Sequence, residues 1–265
     1  MASETPRVDR DLVFATVPGF RPLTLDLHRP DGPGPFPVVV FVHGGGWMVG
    51  SRRTFCFFPA DETFGRLVAE GWAVASVDYR LSGEAVFPAP LDDVRAALQW
   101  VIAEASTYDL DPDAVAVWGE SAGGQLAALL ALDPGTAVRA AVDWYGPSDL
   151  ADVPPAPTPA GPPSREARLL GVEPTDDPDA TRAASPLHHA HAGAPPFLLA
   201  HGLDDRAIPH RHSERLAAAL RDAGVEVELQ LVPGAGHIWS GLDDSATVMD
   251  PAVAFLHRVL GRPRR

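Results

Sequence analysis

Lysine and asparagine are both absent from this 265-residue chain, and cysteine occurs once, at Cys56. Without asparagine there is no N-glycosylation sequon. One cysteine excludes an intramolecular disulfide and fits a reducing compartment. Every fixed side-chain positive charge is an arginine, a bias that reads as high-GC coding rather than mechanism. Positive charge is also in the minority: 21 arginines face 35 acidic residues, for a formal net charge of −14. That balance argues against nucleic acid or an anionic membrane as the main partner. No apolar run approaches the roughly 20 residues of a membrane span, and Met1–Arg7 lacks the apolar core of a secretory leader. Together these absences predict a cytoplasmic protein without a membrane partner.

What is present is an ordinary globular composition, 46% hydrophobic and 21% charged, long enough for one large α/β domain. Apolar runs suited to strands recur at Leu23–Leu27, Val38–Val42, Trp72–Val77, Ala114–Trp118, Ala140–Trp144, Phe197–Ala200 and Val225–Val232. Most are continuous rather than alternating, as in strands covered on both faces. Between them, Leu91, Val94, Leu98, Val101, Ile102 and Ala105 share a helical face, as do Leu216, Ala219, Leu220 and Ala223 before a stop at Gly224. Asp250 reads as an N-cap with Pro251 at the first helical position, followed by the stripe Ala252, Phe255, Leu256, Val259 and Leu260. Alternation of strand and helix from Val38 onward predicts a mostly parallel, doubly wound sheet of about eight strands in a single domain over 1–265. A leading antiparallel hairpin turning at Pro18-Gly19 precedes it. The proline-rich stretch Val153–Pro163 and a short helix near Glu166–Leu170 break the rhythm. We read 150–185 as a small cap or lid insertion within that domain.

The chemistry centres on Gly119-Glu120-Ser121-Ala122-Gly123, directly after a strand-like run. A serine between small residues there sits on a sharp strand-to-helix turn with its hydroxyl projecting out of the fold. Acyl transfer by such a serine needs a base, an acid to orient it, and backbone donors for an oxyanion. His237, in Pro233-Gly234-Ala235-Gly236-His237 beyond the last strand, is the candidate base. Asp204 and Asp205, after the strand Phe197–Ala200, compete for the acid, and Asp204 could instead cap the helix near His210. His43-Gly44-Gly45-Gly46-Trp47 follows the strand Val38–Val42, and its glycines let backbone N–H groups approach a substrate oxygen. The Ala122 N–H, at the positive end of the following helix, is the second donor. No phosphate-cradling pattern is present to compete with this reading.

The order serine, aspartate, histidine is that of the α/β-hydrolases. The segments HGGGW at 43–47, VDYRL at 77–81, FPAPLDDVRAALQW at 87–100, DPDAVAVWGESAGGQLAALLA at 111–131, DWYGPSDL at 143–150, SPL at 185–187, PPFLLAHGLDDRAIP at 195–209 and VPGAGH at 232–237 extend the match. Together they resemble the carboxylesterase branch of that superfamily, the bacterial acetylxylan/feruloyl esterase-like group and the hormone-sensitive-lipase-like esterases. The resemblance implies the α/β-hydrolase fold, Asp205 as the acid, and Gly44, Gly45 and Ala122 as oxyanion donors. Too few residues precede Val38 for the N-terminal helical cap of the lipase-like group, and GESAG stands where that group more often has GDSAG. Both departures favour the xylan/feruloyl-esterase-like group.

The expected function is hydrolysis of a small or medium acyl ester through Ser121, His237 and Asp205, with neither cofactor nor metal. Two alternatives remain open: an amide hydrolase of arylformamidase or prolyl-oligopeptidase-like type, and a non-catalytic receptor on the same fold. Trp47 and Trp239 are the candidate pocket walls. Phe55, Phe57, Phe58, Trp144 and Tyr145 also flank the predicted loops. Glu120 reads as structural under the turn, and Asp78, Tyr79 and Arg80 as braces. His188, His189, His191, His210 and His212 read as surface histidines rather than metal ligands, and Cys56 as buried and inert.

Overall fold

A computed structural model describes residues 7–54, 58–152 and 162–261. Cys56, Phe55, Phe57 and most of the proline-rich stretch fall outside these residues. Eight strands form one sheet: β1 (Arg7–Ala15), β2 (Leu23–Arg29), β3 (Phe36–Val42), β4 (Ala73–Val77), β5 (Leu110–Glu120), β6 (Val138–Trp144), β7 (Phe197–Gly202) and β8 (Val227–Val232). Their order is β1-β2-β4-β3-β5-β6-β7-β8. β1–β2 and β2–β4 pair antiparallel and all other neighbours are parallel. The expected hairpin is β1–β2, closed where the Phe20 N–H donates to the Val17 carbonyl (3.0 Å).

The helices are α1 (Ala60–Ala69), α2 (Ala89–Ala103), α3 (Ala122–Ala131), α4 (Arg165–Leu170), α5 (Pro178–Ala183), α6 (Arg211–Asp222) and α7 (Ala246–Leu260). Strand residues alternate between two apolar layers because successive side chains point to opposite faces. Val38, Val40, Val42, Val115 and Val117 pack with α2, α3 and α6 on one face. Val39, Phe41, Ala116, Trp118, Val142 and Trp144 pack with α1 and α7 on the other. This two-sided burial explains the continuous apolar runs, and the arrangement is the α/β-hydrolase fold. No helix among the described residues is long and apolar enough to cross a membrane.

Three expectations need correction. α7 starts at Ala246, so Asp250 is not its N-cap and Pro251 lies inside the helix. Proline has no N–H to give the carbonyl four residues back, and the Gln230 side-chain amide supplies that donor to the Thr247 carbonyl instead (2.9 Å). Asp204 does not cap α6, whose N-cap position is held by His210 without a side-chain cap bond. His212 is not on the surface: it is fully buried, with Nδ1 accepting from the Ser148 N–H (3.3 Å) and Nε2 against the Asp152 carbonyl (3.2 Å).

The described residues between β6 and β7 are tied to the body. Leu169 of α4 is fully buried, its carbonyl accepts from the Phe87 N–H (2.7 Å), and the Leu150 N–H donates to Ser185 Oγ (2.9 Å). The edge hairpin is also tied in. Buried Asp26 of β2 accepts from Arg52 Nε (2.8 Å) and Arg53 Nε (2.7 Å), and Arg52 also grips Asp78 and Asp11. Burial works against a charge on Asp26, but bonds from Arg53, Arg52 and the Asp11 N–H outweigh it and hold the carboxyl down at about 2.

Candidate active site

β5 ends at Glu120 and α3 begins at Ala122, so Ser121 alone makes the turn. Its backbone is at φ 53°, ψ −120°, a region disfavoured for a residue with a Cβ. The flanking glycines make that turn fit. A Cβ on Gly119 would lie 2.1 Å from the Gly123 carbonyl oxygen, and one on Gly123 would lie 2.1 Å from that of Val42. The Ser121 N–H donates to the Trp144 carbonyl (2.8 Å), pinning the turn to β6.

Ser121 Oγ lies 3.1 Å from His237 Nε2, and His237 Nδ1 lies 2.7 Å from Asp205 Oδ2. A carboxylate only accepts, so Nδ1 carries the proton and Nε2 presents a lone pair to the serine hydroxyl. His237 stands on a tight loop in which Ile238 (φ 55°) and Trp239 (φ 60°) are left-handed and the Gly236 N–H donates to the Ser240 carbonyl (2.8 Å). The Tyr145 ring meets the imidazole at 5.1 Å and 65°, and Tyr145 Oη donates to Glu120 Oε2 (2.9 Å).

Asp205 is fully enclosed. Its Oδ1 accepts from the N–H groups of Ala207 (2.8 Å) and Ile208 (2.9 Å). Its Oδ2 is shared by His237 Nδ1 and His201 Nε2, the latter at 3.3 Å. Burial opposes its charge, but the bonds from His201, His237 and Ile208 prevail and hold the carboxyl well below the usual carboxylate range. His201 lies inside the segment PPFLLAHGLDDRAIP, where the sequence alone assigns it no role. Only its burial and its partners Asp205, Ile208 and Ser213, invisible in one dimension, mark it out.

Gly44 backs onto the serine, where an added Cβ would lie 3.4 Å from Ser121 Cβ. Gly45 turns at φ 112°, and its carbonyl accepts from the Met48 (3.1 Å) and Val49 (3.2 Å) N–H groups. Among the described residues, the N–H groups of Gly44, Gly45 and Ala122 donate to no main-chain carbonyl. Their loop is braced from below. His43 Nδ1–H donates to the Gly44 carbonyl (2.7 Å), its ring stacks on Tyr79 at 4.4 Å, and Tyr79 Oη donates to the His43 carbonyl (3.1 Å). Burial pushes His43 down to about 4, so its ring is neutral at pH 7. Arg80 chelates Asp93.

The two tryptophans are enclosed. Trp47 is 2% exposed and its indole N–H donates to Gln125 Oε1 (3.1 Å). Trp239 is 0% exposed and packs edge-on against Trp144 (5.2 Å) and Tyr145 (4.9 Å). The apolar side chains that these loops leave exposed are Met48, Val49 and Ile238. Among the described residues, no three His, Cys, Asp or Glu side chains group as a metal site.

Such an arrangement can draw a proton from a hydroxyl, store it on an imidazole beside a fixed negative charge, and offer N–H groups to a nearby oxyanion. Known proteins agree with the fold that carries it. Esterase LipQ of Mycobacterium tuberculosis (strain ATCC 25618 / H37Rv) is 36% identical over 266 residues, covering 92% of this chain and 61% of LipQ. Esterase LipC of the same strain is 36% identical over 238 residues, covering 80% of this chain and 55% of LipC. The chain thus spans little more than half the length of these curated relatives. A solved structure described as a truncated form of a carbohydrate esterase from gut microbiota superposes with a TM-score of 0.85 at 26% identity, covering 98% of both chains. The sequence profile of the BD-FAE family matches residues 25–220, and the chain belongs to that family of α/β-hydrolases.

Proposed function

We propose that this chain is a serine carboxylic ester hydrolase acting on a small or medium acyl ester. Ser121 Oγ attacks the ester carbonyl as His237 Nε2 takes its proton, while Asp205 holds the ring in the working tautomer and stabilises the imidazolium. The N–H groups of Gly44, Gly45 and Ala122 meet the oxyanion of the tetrahedral intermediate. His237 then gives its proton to the leaving alcohol. Water, deprotonated by the same nitrogen, releases the acid and restores the serine. Residues 150–185 belong to this reading as a small insertion in a single domain, shaping one side of the site.

The observation that carries the proposal is the unbroken line of hydrogen bonds from Ser121 through both nitrogens of His237 to Asp205, on a serine held at positive φ. Esterase relatives at 36% identity support the reaction class. The test is turnover of p-nitrophenyl acetate or butyrate together with labelling by a fluorophosphonate probe. Wild type should turn over and label. Ser121→Ala should lose label and at least about a thousandfold of kcat. Retention of a tenth of the activity by Ser121→Ala would overturn the mechanism.

A further inference from the structure

Most arginines near the site hold carboxylates: Arg52 grips Asp26 and Asp78, Arg80 grips Asp93, and Arg215 bonds Asp149. Arg165 is different. It is exposed, and among the described residues its guanidinium makes no ion pair or hydrogen bond. Its stem nevertheless lies against the glycine loop: a Cβ on Gly46 would sit 2.8 Å from Arg165 Cδ and 3.9 Å from Nε. Gly46 suits the place on both counts, by its φ of 59° and by leaving the room that the Arg165 stem occupies. Gly46 is two residues from Gly44, so their Cα atoms are at most about 7.6 Å apart, and Gly44 itself backs onto Ser121.

This position is built into the fold. Arg165 is the first residue of α4, capped where the Ala167 N–H donates to Ser164 Oγ (3.0 Å). The helix is anchored by fully buried Leu169 and stopped at left-handed Gly171, whose Cα faces Val86. Exposed Met48 and Val49 lie on the same glycine loop. A chain of net charge −14 repels anions at long range. An unpaired guanidinium at the edge of the oxyanion loop reverses that locally and offers a planar fork to a carboxylate.

We propose that Arg165 determines specificity, and that the preferred substrates are esters carrying a free carboxylate near the scissile carbonyl. The inference rests on the esterase reading above. Its test compares matched ester pairs in wild type and Arg165→Gln. The acyl-side pair is mono-p-nitrophenyl glutarate against p-nitrophenyl valerate, and the alcohol-side pair is 4-acetoxybenzoate against 4-acetoxybenzamide. For at least one pair, the substitution should lower kcat/KM on the charged ester about fivefold, chiefly through KM, and leave the neutral ester unchanged. The preference should shrink as salt rises from 0.01 to 1 M, and the responding pair identifies which side of the ester bears the charge. An equal loss on charged and neutral esters, or no change on either, overturns the proposal. Calorimetric binding of glutarate against valerate supplies a readout independent of turnover. If wild type hydrolyses no ester, the esterase reading falls, and glutarate binding lost in Arg165→Gln still decides the role of Arg165.

Discussion

His201 Nε2 lies 3.3 Å from Asp205 Oδ2, the same oxygen that His237 Nδ1 bonds from the other side. His201 Nε2 also lies 2.8 Å from the Ile208 carbonyl, which only accepts, so this nitrogen carries the proton. Nδ1 hydrogen-bonds with Ser213 Oγ (2.7 Å). A wholly buried imidazole thus steadies the carboxylate that orients a second imidazole. Replacing His201 by Leu should lower kcat on the order of tenfold with KM little changed. The acid limb of the pH–rate profile should move to higher pH, because a carboxylate with one donor fewer holds the His237 proton more tightly. His201→Gln, which keeps a donor, should recover part of the rate. A profile unmoved in the leucine variant would leave His201 as packing alone.

The glycines of the serine turn differ sharply from Gly65 of α1. A Cβ on Gly123 would lie 2.1 Å from the Val42 and 2.4 Å from the His43 carbonyl oxygens, both main-chain atoms. Gly65, inside α1, has nothing within 4 Å of that position. Gly123→Ala should destabilise by about 1–3 kcal/mol and depress activity. Gly65→Ala should stabilise by about 0.5–1 kcal/mol. Urea melts of the pair check both signs.

Asp143, at the end of β6, is buried, and desolvation pushes its pKa up to about 7 against one bond from the Gly146 N–H (2.9 Å). Unfolded, it titrates near the ordinary value of about 3.9. Between these two values the unfolded chain has already released a proton that the native chain retains, so this group lowers stability as pH rises from about 4 to 7. Asp143→Asn removes that contribution. The difference in urea-unfolding free energy between variant and wild type should therefore grow in favour of the variant across that window and level off above it. A difference independent of pH would show that Asp143 is already ionised in the native state.

Pro251 leaves the Thr247 carbonyl to the Gln230 side chain. Gln230→Leu should therefore cost about 0.5–1 kcal/mol, because the exposed Thr247 carbonyl falls back on water. The same change in a Pro251→Ala background, where the helix supplies its own donor, should cost clearly less. A double-mutant cycle on thermal or urea melts reads the coupling.

Much of this was legible in the chain. Strands covered on both faces announce themselves as unbroken apolar runs, so the sheet from Val38 onward could be read almost directly. Ser121 and His237 were legible because each needs small neighbours to reach its geometry, and small neighbours are visible. Asp205 was separated from Asp204 only by family resemblance, since the distinction lies in which carboxylate turns inward to Ile208 and His201. The start of α7 was misread because Asp-Pro imitates a helix start, while the donor that tolerates an internal proline sits on another strand. His212 was misread because a polar side chain buries itself when two backbone groups meet it, and those groups are about sixty residues away in sequence.

The ion cluster of Arg52 and Arg53 with Asp26, Asp11 and Asp78 joins the outermost strands to the segment that leaves the glycine loop. An edge hairpin is ordinarily expendable trim. Here it is a buttress: Asp11 and Asp26, on its two strands, hold the arginine that follows the glycine loop. Damage at the rim of the sheet would therefore reach inward, loosening the segment that follows the glycine loop along with the edge itself.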